Sequence, residues 1–171
     1  MDVEIRAQES PLDPLAEQAQ VYAAGPQVGG VVSFVGLMRD INQGDRVRAM
    51  TLEHYPGMTE KALGAIVVEA GRRWQLDSVR IVHRVGEIRP QDPIVLVAVA
   101  SAHRGEAFRA CEFIIDYLKT RAPFWKREDM SDGQSRWVEA RDSDDVAAAS
   151  WADGSESPTT ARGDARPGEK Q

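Results

Sequence analysis

Cysteine occurs once in the 171 residues, at Cys111. A single thiol closes no disulfide within the chain and builds no Cys-rich zinc site, so a reducing, cytoplasmic setting is expected. A basic surplus is also missing. The chain carries 21 Lys and Arg against 27 Asp and Glu, a formal charge of -6. That balance argues against broad nucleic-acid binding and makes any local cluster of cations stand out. No stretch reaches the ~18 apolar residues of a membrane span. The start, Met1-Asp2-Val3-Glu4, is acidic and lacks the apolar run of a signal peptide. The three histidines lie far apart with no metal-ligand spacing, so no metal site is expected, and phosphate loops, nucleophile elbows and dinucleotide fingerprints are absent.

What remains is an ordinary soluble composition, 42% hydrophobic and 28% charged, long enough for one domain with its own core. Val3 to Ala7 alternates as a strand, and residues from about Asp13 to Ala24 look helical. Strands are predicted over Gly29 to Met38 and Arg46 to Tyr55, with the polar turn Asp40 to Asp45 between them. Met58 to Trp74 repeats Leu63, Ile66, Val67 and Ala70 at helical spacing, with Thr59 as N-cap. Ser78 to Ile88 and Pro93 to Ala102 read as strands joined at Arg89-Pro90-Gln91-Asp92. A second long helix runs from Arg104 to Thr120 with a predicted buried stripe of Phe108, Cys111, Ile115 and Leu118, and Pro123 ends it. Pro123 to Glu128 and Arg136 to Ala140 suggest a hairpin; Trp125 and Trp137 suit core residues or interface aromatics, with core the default. The class is α+β: a mainly antiparallel sheet with two long helices packed against it and a C-terminal hairpin, in one domain over 1–151. From Ala152 onward the chain is rich in Ser, Pro, Gly and Thr, and a flexible tail is expected.

Two clusters carry candidate chemistry. Ser101-Ala-His-Arg104 opens the second helix, where unpaired N–H groups and the helix dipole favour an anion. The same residues also suit a solvated loop. Lys119 borders the buried face at the end of that helix, and Lys126 follows on the next strand. A partly desolvated lysine near a second cation can serve as nucleophile or acid/base, or can simply snorkel at a helix end. Arg39 ends a strand just after Gly36 and either faces a ligand or is a solvated strand end. His83 reads as structural, and Cys111 as an inert apolar filler.

Several runs together resemble the molybdopterin synthase large-subunit family. They are Gly36-Leu-Met-Arg39, Leu52-Glu-His-Tyr-Pro-Gly-Met58, His83-Arg-Val-Gly-Glu87, Ser101-Ala-His-Arg104, the run from Asp116 through Glu128, and Trp137-Val-Glu-Ala-Arg141. The resemblance covers roughly residues 28 to 151. It implies an α/β hammerhead-like fold and a sulfurtransferase. Such an enzyme converts cyclic pyranopterin monophosphate to molybdopterin, a dithiolene. The sulfur comes from a small ubiquitin-like sulfur-carrier subunit whose C-terminal Gly-Gly bears a thiocarboxylate. The family assembles as a homodimer of large subunits at the centre of a heterotetramer. Pterin is substrate and product, so no cofactor is implied. The catalytic lysines correspond to Lys119 and Lys126. Arg39, His103 and Arg104 match positions lining the pterin and phosphate pocket, and Arg141 matches an arginine that reaches the neighbouring subunit's pocket.

Met38 stands where the family more often has a smaller β-branched residue, and Gln91 stands in a turn where Gly is commoner. The cationic cluster alone would also allow an enzyme for another phosphorylated heterocycle. A non-catalytic scaffold binding a ubiquitin-like partner is a further alternative, which the joint presence of both lysines with His103 and Arg104 disfavours.

Overall fold

The computed structural model describes residues 1–42, 45–138 and 142–151. Arg141, the expected tail from residue 152 and two residues of the polar loop lie outside the described residues. In chain order the elements are β1 (Asp2–Gln8), α1 (Pro14–Val21), β2 (Gly30–Leu37), β3 (Ile41–Asn42), β4 (Asp45–His54) and α2 (Met58–Arg73). They continue with β5 (Ser78–Arg84), β6 (Gly86–Ile88), β7 (Pro93–Ser101), α3 (Arg104–Arg121), β8 (Phe124–Met130), β9 (Ser135–Val138) and α4 (Asp142–Ser150).

The α+β class holds, and the strands divide between two sheets. The first has the order β1-β5-β7-β2, with only β1 and β5 parallel. The second has the order β3-β4-β8-β9, with β6 also paired to β4, and is antiparallel throughout. The run from Ser78 to Ile88, read from sequence as one strand, links the two. Gly86 adopts φ +75, which turns the chain out of β5 and into β6 on the other sheet.

The apolar run of β7 is buried on both faces, as a central strand must be. One face of the first sheet packs against α2 and α3. At the centre of that core lies Phe113, with Trp74, Tyr117 and Trp151 edge-on at ring distances of 5.4, 4.5 and 5.5 Å. The other face packs against α1, whose N-cap Asp13 accepts from Leu15 and Ala16 N–H. α4 was not foreseen. It brings Ala148 and Trp151 onto the α3 core, where Trp151 Nε1 donates to Asp116 Oδ2 at 2.8 Å.

Three expectations need correction. Phe108 is 61% exposed, because it lies just past Ile115 at the edge of the buried arc, which is filled by Ala107, Ala110, Cys111, Ile114 and Leu118. Trp125 and Trp137 are 48% and 57% exposed rather than core. Strand side chains alternate, and Phe124, Lys126 and Glu128 take the inner face of β8, so Trp125 must point out. The N-cap of α2 is Gly57, whose N–H donates to Glu60 Oε2 at 2.7 Å. Thr59 is buried instead, accepting from Tyr55 N–H and donating to Pro123 O. Among the described residues no helix is long and apolar enough to cross a membrane.

Gln91 has φ +72, the only positive value at a non-glycine residue among those described. Its N–H donates to Met38 O at 2.8 Å, which holds the turn before β7 against the loop that carries Arg39. A left-handed conformation costs a residue with a Cβ about 1 kcal/mol, partly offset by the greater freedom of glycine when unfolded. Gln91→Gly should therefore raise stability by about 0.5–1 kcal/mol in urea unfolding, whereas Gln91→Ala should give no gain.

Candidate active site

The C-terminal end of α3 and the inner face of β8 enclose a cavity of about 680 Å³. That size suits a small ligand. The end of β2, the loop carrying Arg39, the end of β5 and the start of β7 add to the wall, with further residues from β3, β4, β9 and α4. Sequence-distant residues meet here because β2, β5 and α3 all finish at this end of the first sheet, beside β8 of the second.

Lys119 stands on the last turn of α3, where its positive charge complements the helix dipole. Its side chain is 48% exposed, and Nζ lies 3.8 Å from Asp144 Oδ1 of α4. Lys126 is on the inner face of β8, with Nζ 2.7 Å from Glu128 Oε1. Arg39 is exposed at the cavity wall and has no carboxylate partner among the described residues. The three predicted cations, from two distant parts of the chain, thus share one cavity.

Glu128 is 2% exposed and is the anchor of this arrangement. Its carboxylate takes Lys126 Nζ, Asn42 Nδ2 at 2.8 Å and Arg136 Nη2 at 3.2 Å. Burial alone would raise its pKa, yet the bonds from Lys126, Asn42 and Arg136 hold it below the ordinary 4.5. Sequence reasoning missed this role. The alternation Phe124-Lys126-Glu128 was the available signal, since it places two charges on the face opposite two tryptophans.

His83 also lines the cavity. Its ring stacks on Phe124 at a centroid distance of 4.0 Å, and Nδ1 lies 2.8 Å from Arg84 O. Burial lowers its pKa to about 4; the Arg84 carbonyl opposes that shift and nearby His54 adds to it. His54 itself is turned toward Glu60, 3.9 Å away, and is not part of the wall. Cys111 is buried, with its thiol raised to about 12 by desolvation, which suits the inert filler expected of it.

His103 and Arg104 do not reach this cavity within the chain. They sit exposed at the N-terminus of α3, sixteen and fifteen residues before Lys119, or about 22–24 Å along the helix axis. Gly29 packs under that turn so closely that a Cβ would lie 2.2 Å from Ala102 O. Among the described residues no cluster of His, Cys, Asp and Glu could hold a metal ion.

Residues 7–121 match the family model described as MoaE protein. The chain belongs to the MoaE family. Over 147 residues it is 59% identical to the molybdopterin synthase catalytic subunit of Ralstonia nicotianae, covering 86% of this chain and 83% of that one. It superimposes on molybdopterin cofactor biosynthesis protein E of Burkholderia multivorans with a TM-score of 0.75 at 52% identity, covering 89% of this chain and 98% of the other. The fold also matches a chain from the complex of subunits 1 and 2 of the Helicobacter pylori molybdopterin-converting factor, with a TM-score of 0.65 at 17% identity and coverage of 81% and 91%. The MoaE match covers every element that builds the cavity wall except β8, β9 and α4.

The Glu128 network has a pH signature. Its folded pKa lies below its unfolded value, so its contribution is present above about pH 4.5 and is lost as pH falls further, when the unfolded chain takes up the proton first. Glu128→Gln should cost about 1–3 kcal/mol at neutral pH, and the deficit relative to wild type should shrink below that value. Parallel urea titrations of both proteins across the acid range measure the difference. A constant gap would disprove the coupling.

Proposed function

We propose that this chain is the catalytic subunit of a molybdopterin synthase, a sulfurtransferase that turns cyclic pyranopterin monophosphate into the dithiolene molybdopterin. The observation that carries the reading is the convergence of Lys119, Lys126 and Arg39 on one ligand-sized cavity in an otherwise acidic protein. Sulfur arrives from outside, on the thiocarboxylated C-terminal glycine of a small ubiquitin-like subunit. Cys111 is too buried and too weakly acidic to supply it. The reading assigns the chain no resident cofactor and a cytoplasmic location.

Lys119 is exposed enough to meet an arriving thiocarboxylate and close enough to the cavity to move a proton there. Its ammonium offsets charge that develops on the attacked carbonyl. Lys126 is oriented by Glu128, with a fixed donor toward the pterin side. Arg39, with no carboxylate partner among the described residues, offers a planar fork to the phosphate. Lys119→Ala should lower dithiolene formation by roughly a hundred- to ten-thousandfold while leaving the fold and small-subunit binding unchanged. The assay is reconstitution with the thiocarboxylated partner and the cyclic precursor, and wild-type turnover in the variant would remove Lys119 from the mechanism.

His103 and Arg104 fit the same reading if two copies pair. Each is exposed at the far end of α3 from its own cavity. A two-fold homodimer carries them to the partner's cavity, and a small subunit on each copy completes a heterotetramer. Lys119→Ala and Arg104→Ala proteins, each inactive alone, should regain about a quarter of wild-type activity after subunit exchange, because half of the dimers then hold one intact site of two. No recovery despite verified exchange would place all the essential residues within one copy.

A further inference from the structure

His83 is a buried imidazole for which the sulfur-transfer scheme has no task. Three contacts fix it. Its backbone is paired on both sides of β5, with Ala7 and with Val95. Its ring stacks on Phe124 with the planes 19° apart. Its Nδ1 meets Arg84 O at 2.8 Å, and because a carbonyl only accepts, Nδ1 carries the ring proton. Nε2 is then a bare lone pair on a side chain that forms part of the cavity wall, and no described residue donates to it.

The cavity needs such an atom. Lys119, Lys126 and Arg39 are donors only, suited to a phosphate or a thiocarboxylate. A pterin also brings ring N–H donors, which lose water on entry and need acceptors in return. Both oxygens of Glu128 are already engaged, Oε1 by Asn42 and Lys126 and Oε2 by Arg136. Asp144 faces Lys119. His83 lines the wall, and its Nε2 is an acceptor to which no described residue donates.

We propose that His83 orients the substrate: its Nε2 accepts a hydrogen bond from a ring N–H of the pterin and fixes which edge of the heterocycle faces the two lysines. The inference rests on the molybdopterin synthase reading and adds to it the group that recognises the ring, as distinct from the phosphate. The low pKa of the ring keeps the acceptor unprotonated at neutral pH. The stack on Phe124 keeps it in place.

Two variants separate this role from a structural one. In His83→Gln the amide oxygen can occupy the place of Nε2. In His83→Asn the shorter side chain can keep the bond to Arg84 O but leaves the Nε2 position empty. Orientation by Nε2 therefore expects His83→Asn to raise the KM for cyclic pyranopterin monophosphate about tenfold or more, with a smaller change in kcat, and His83→Gln to stay nearer wild type. A structural role expects the reverse order, with melting temperatures that follow it. Nitrogen-15 spectra of the full-length wild-type protein give a second reading, with the His83 signals assigned by their loss in His83→Asn. The Nε2 resonance should begin at the position of an unprotonated, unbonded ring nitrogen and shift when the pterin phosphate saturates the site. Wild-type protein that converts the pterin with an unmoved Nε2 signal, or a His83→Asn variant with wild-type KM, would overturn the role of His83 alone. Wild-type protein that neither binds nor converts the pterin would overturn the functional reading and this inference together.

Discussion

Glu128 is a carboxylate taken almost wholly out of water on the inner face of a strand. Such a group is costly to bury unless every lone pair finds a donor, and here two cations and an amide supply them. The partners come from three places, Asn42 on β3, Lys126 on β8 itself and Arg136 on β9. Their joint requirement fixes the register of β8. A slip by one residue would turn Lys126 and Glu128 to solvent and drive Trp125 inward, exchanging the cavity wall for an apolar one. The two exposed tryptophans are thus the other side of the same constraint. Arg127 is the direct cross-strand partner of Trp137 and sits two residues along β8 from Trp125, with its guanidinium carbon 6.0 Å from the Trp137 ring, so the outer face pairs the same strands by aromatic and cationic contacts.

That register matters because the site is assembled at a seam. The first sheet supplies the ends of β2 and β5 and the start of β7, the second supplies β8, and α3 lies across the junction. Gly86 makes the seam possible by letting one continuous segment serve both sheets. Thr59 ties the start of α2 to the carbonyl of Pro123, where the chain leaves α3 for β8. Lys119 and Lys126 are seven residues apart on either side of that joint, and their approach depends on the angle it sets.

Periodicity made the regular elements legible in the sequence. The stripe Leu63, Ile66, Val67 and Ala70 and the apolar run of β7 have few alternatives, and the helices and strands they announce are present. The failures fall where two causes compete. Phe108 shares the spacing of Cys111, Ile115 and Leu118, yet spacing does not say where a buried arc ends, and the arc closes at Ile115. Thr59 is a good capping type, but a buried hydroxyl bonded across the fold outweighs a local cap, and Glu60 does the capping by reaching back to Gly57. Trp125 and Trp137 were assigned inward on hydrophobicity, which is the right default until a neighbouring strand position must hold a charge. α4 is marked by little beyond an acidic start and a run of alanines, and its packing depends on Trp151 meeting an aromatic cluster built by α2 and α3. Of the site, Arg39 and Lys119 were legible as cations at element ends, Lys126 as a cation on the next strand, and all three from the family's motifs. Glu128 and His83 were not, because their importance lies in partners from strands distant in sequence.

The cavity then divides its labour by charge. Lys119 and Lys126 each face a carboxylate, which sets their positions, while Arg39 has no carboxylate partner among the described residues and can meet a ligand's charge. A charged imidazole among these cations would add repulsion in a poorly hydrated wall and would offer no acceptor. Burial against Phe124 makes His83 neutral and the Arg84 carbonyl selects its tautomer, so the same surroundings that forbid the imidazolium create the acceptor. A pterin phosphate has two kinds of surface, an anionic group and a heterocycle edged with donors, and one set of residues cannot satisfy both. The presence of permanent cations and a locked neutral ring in a single wall fits a ligand with that double character better than it fits a simple anion.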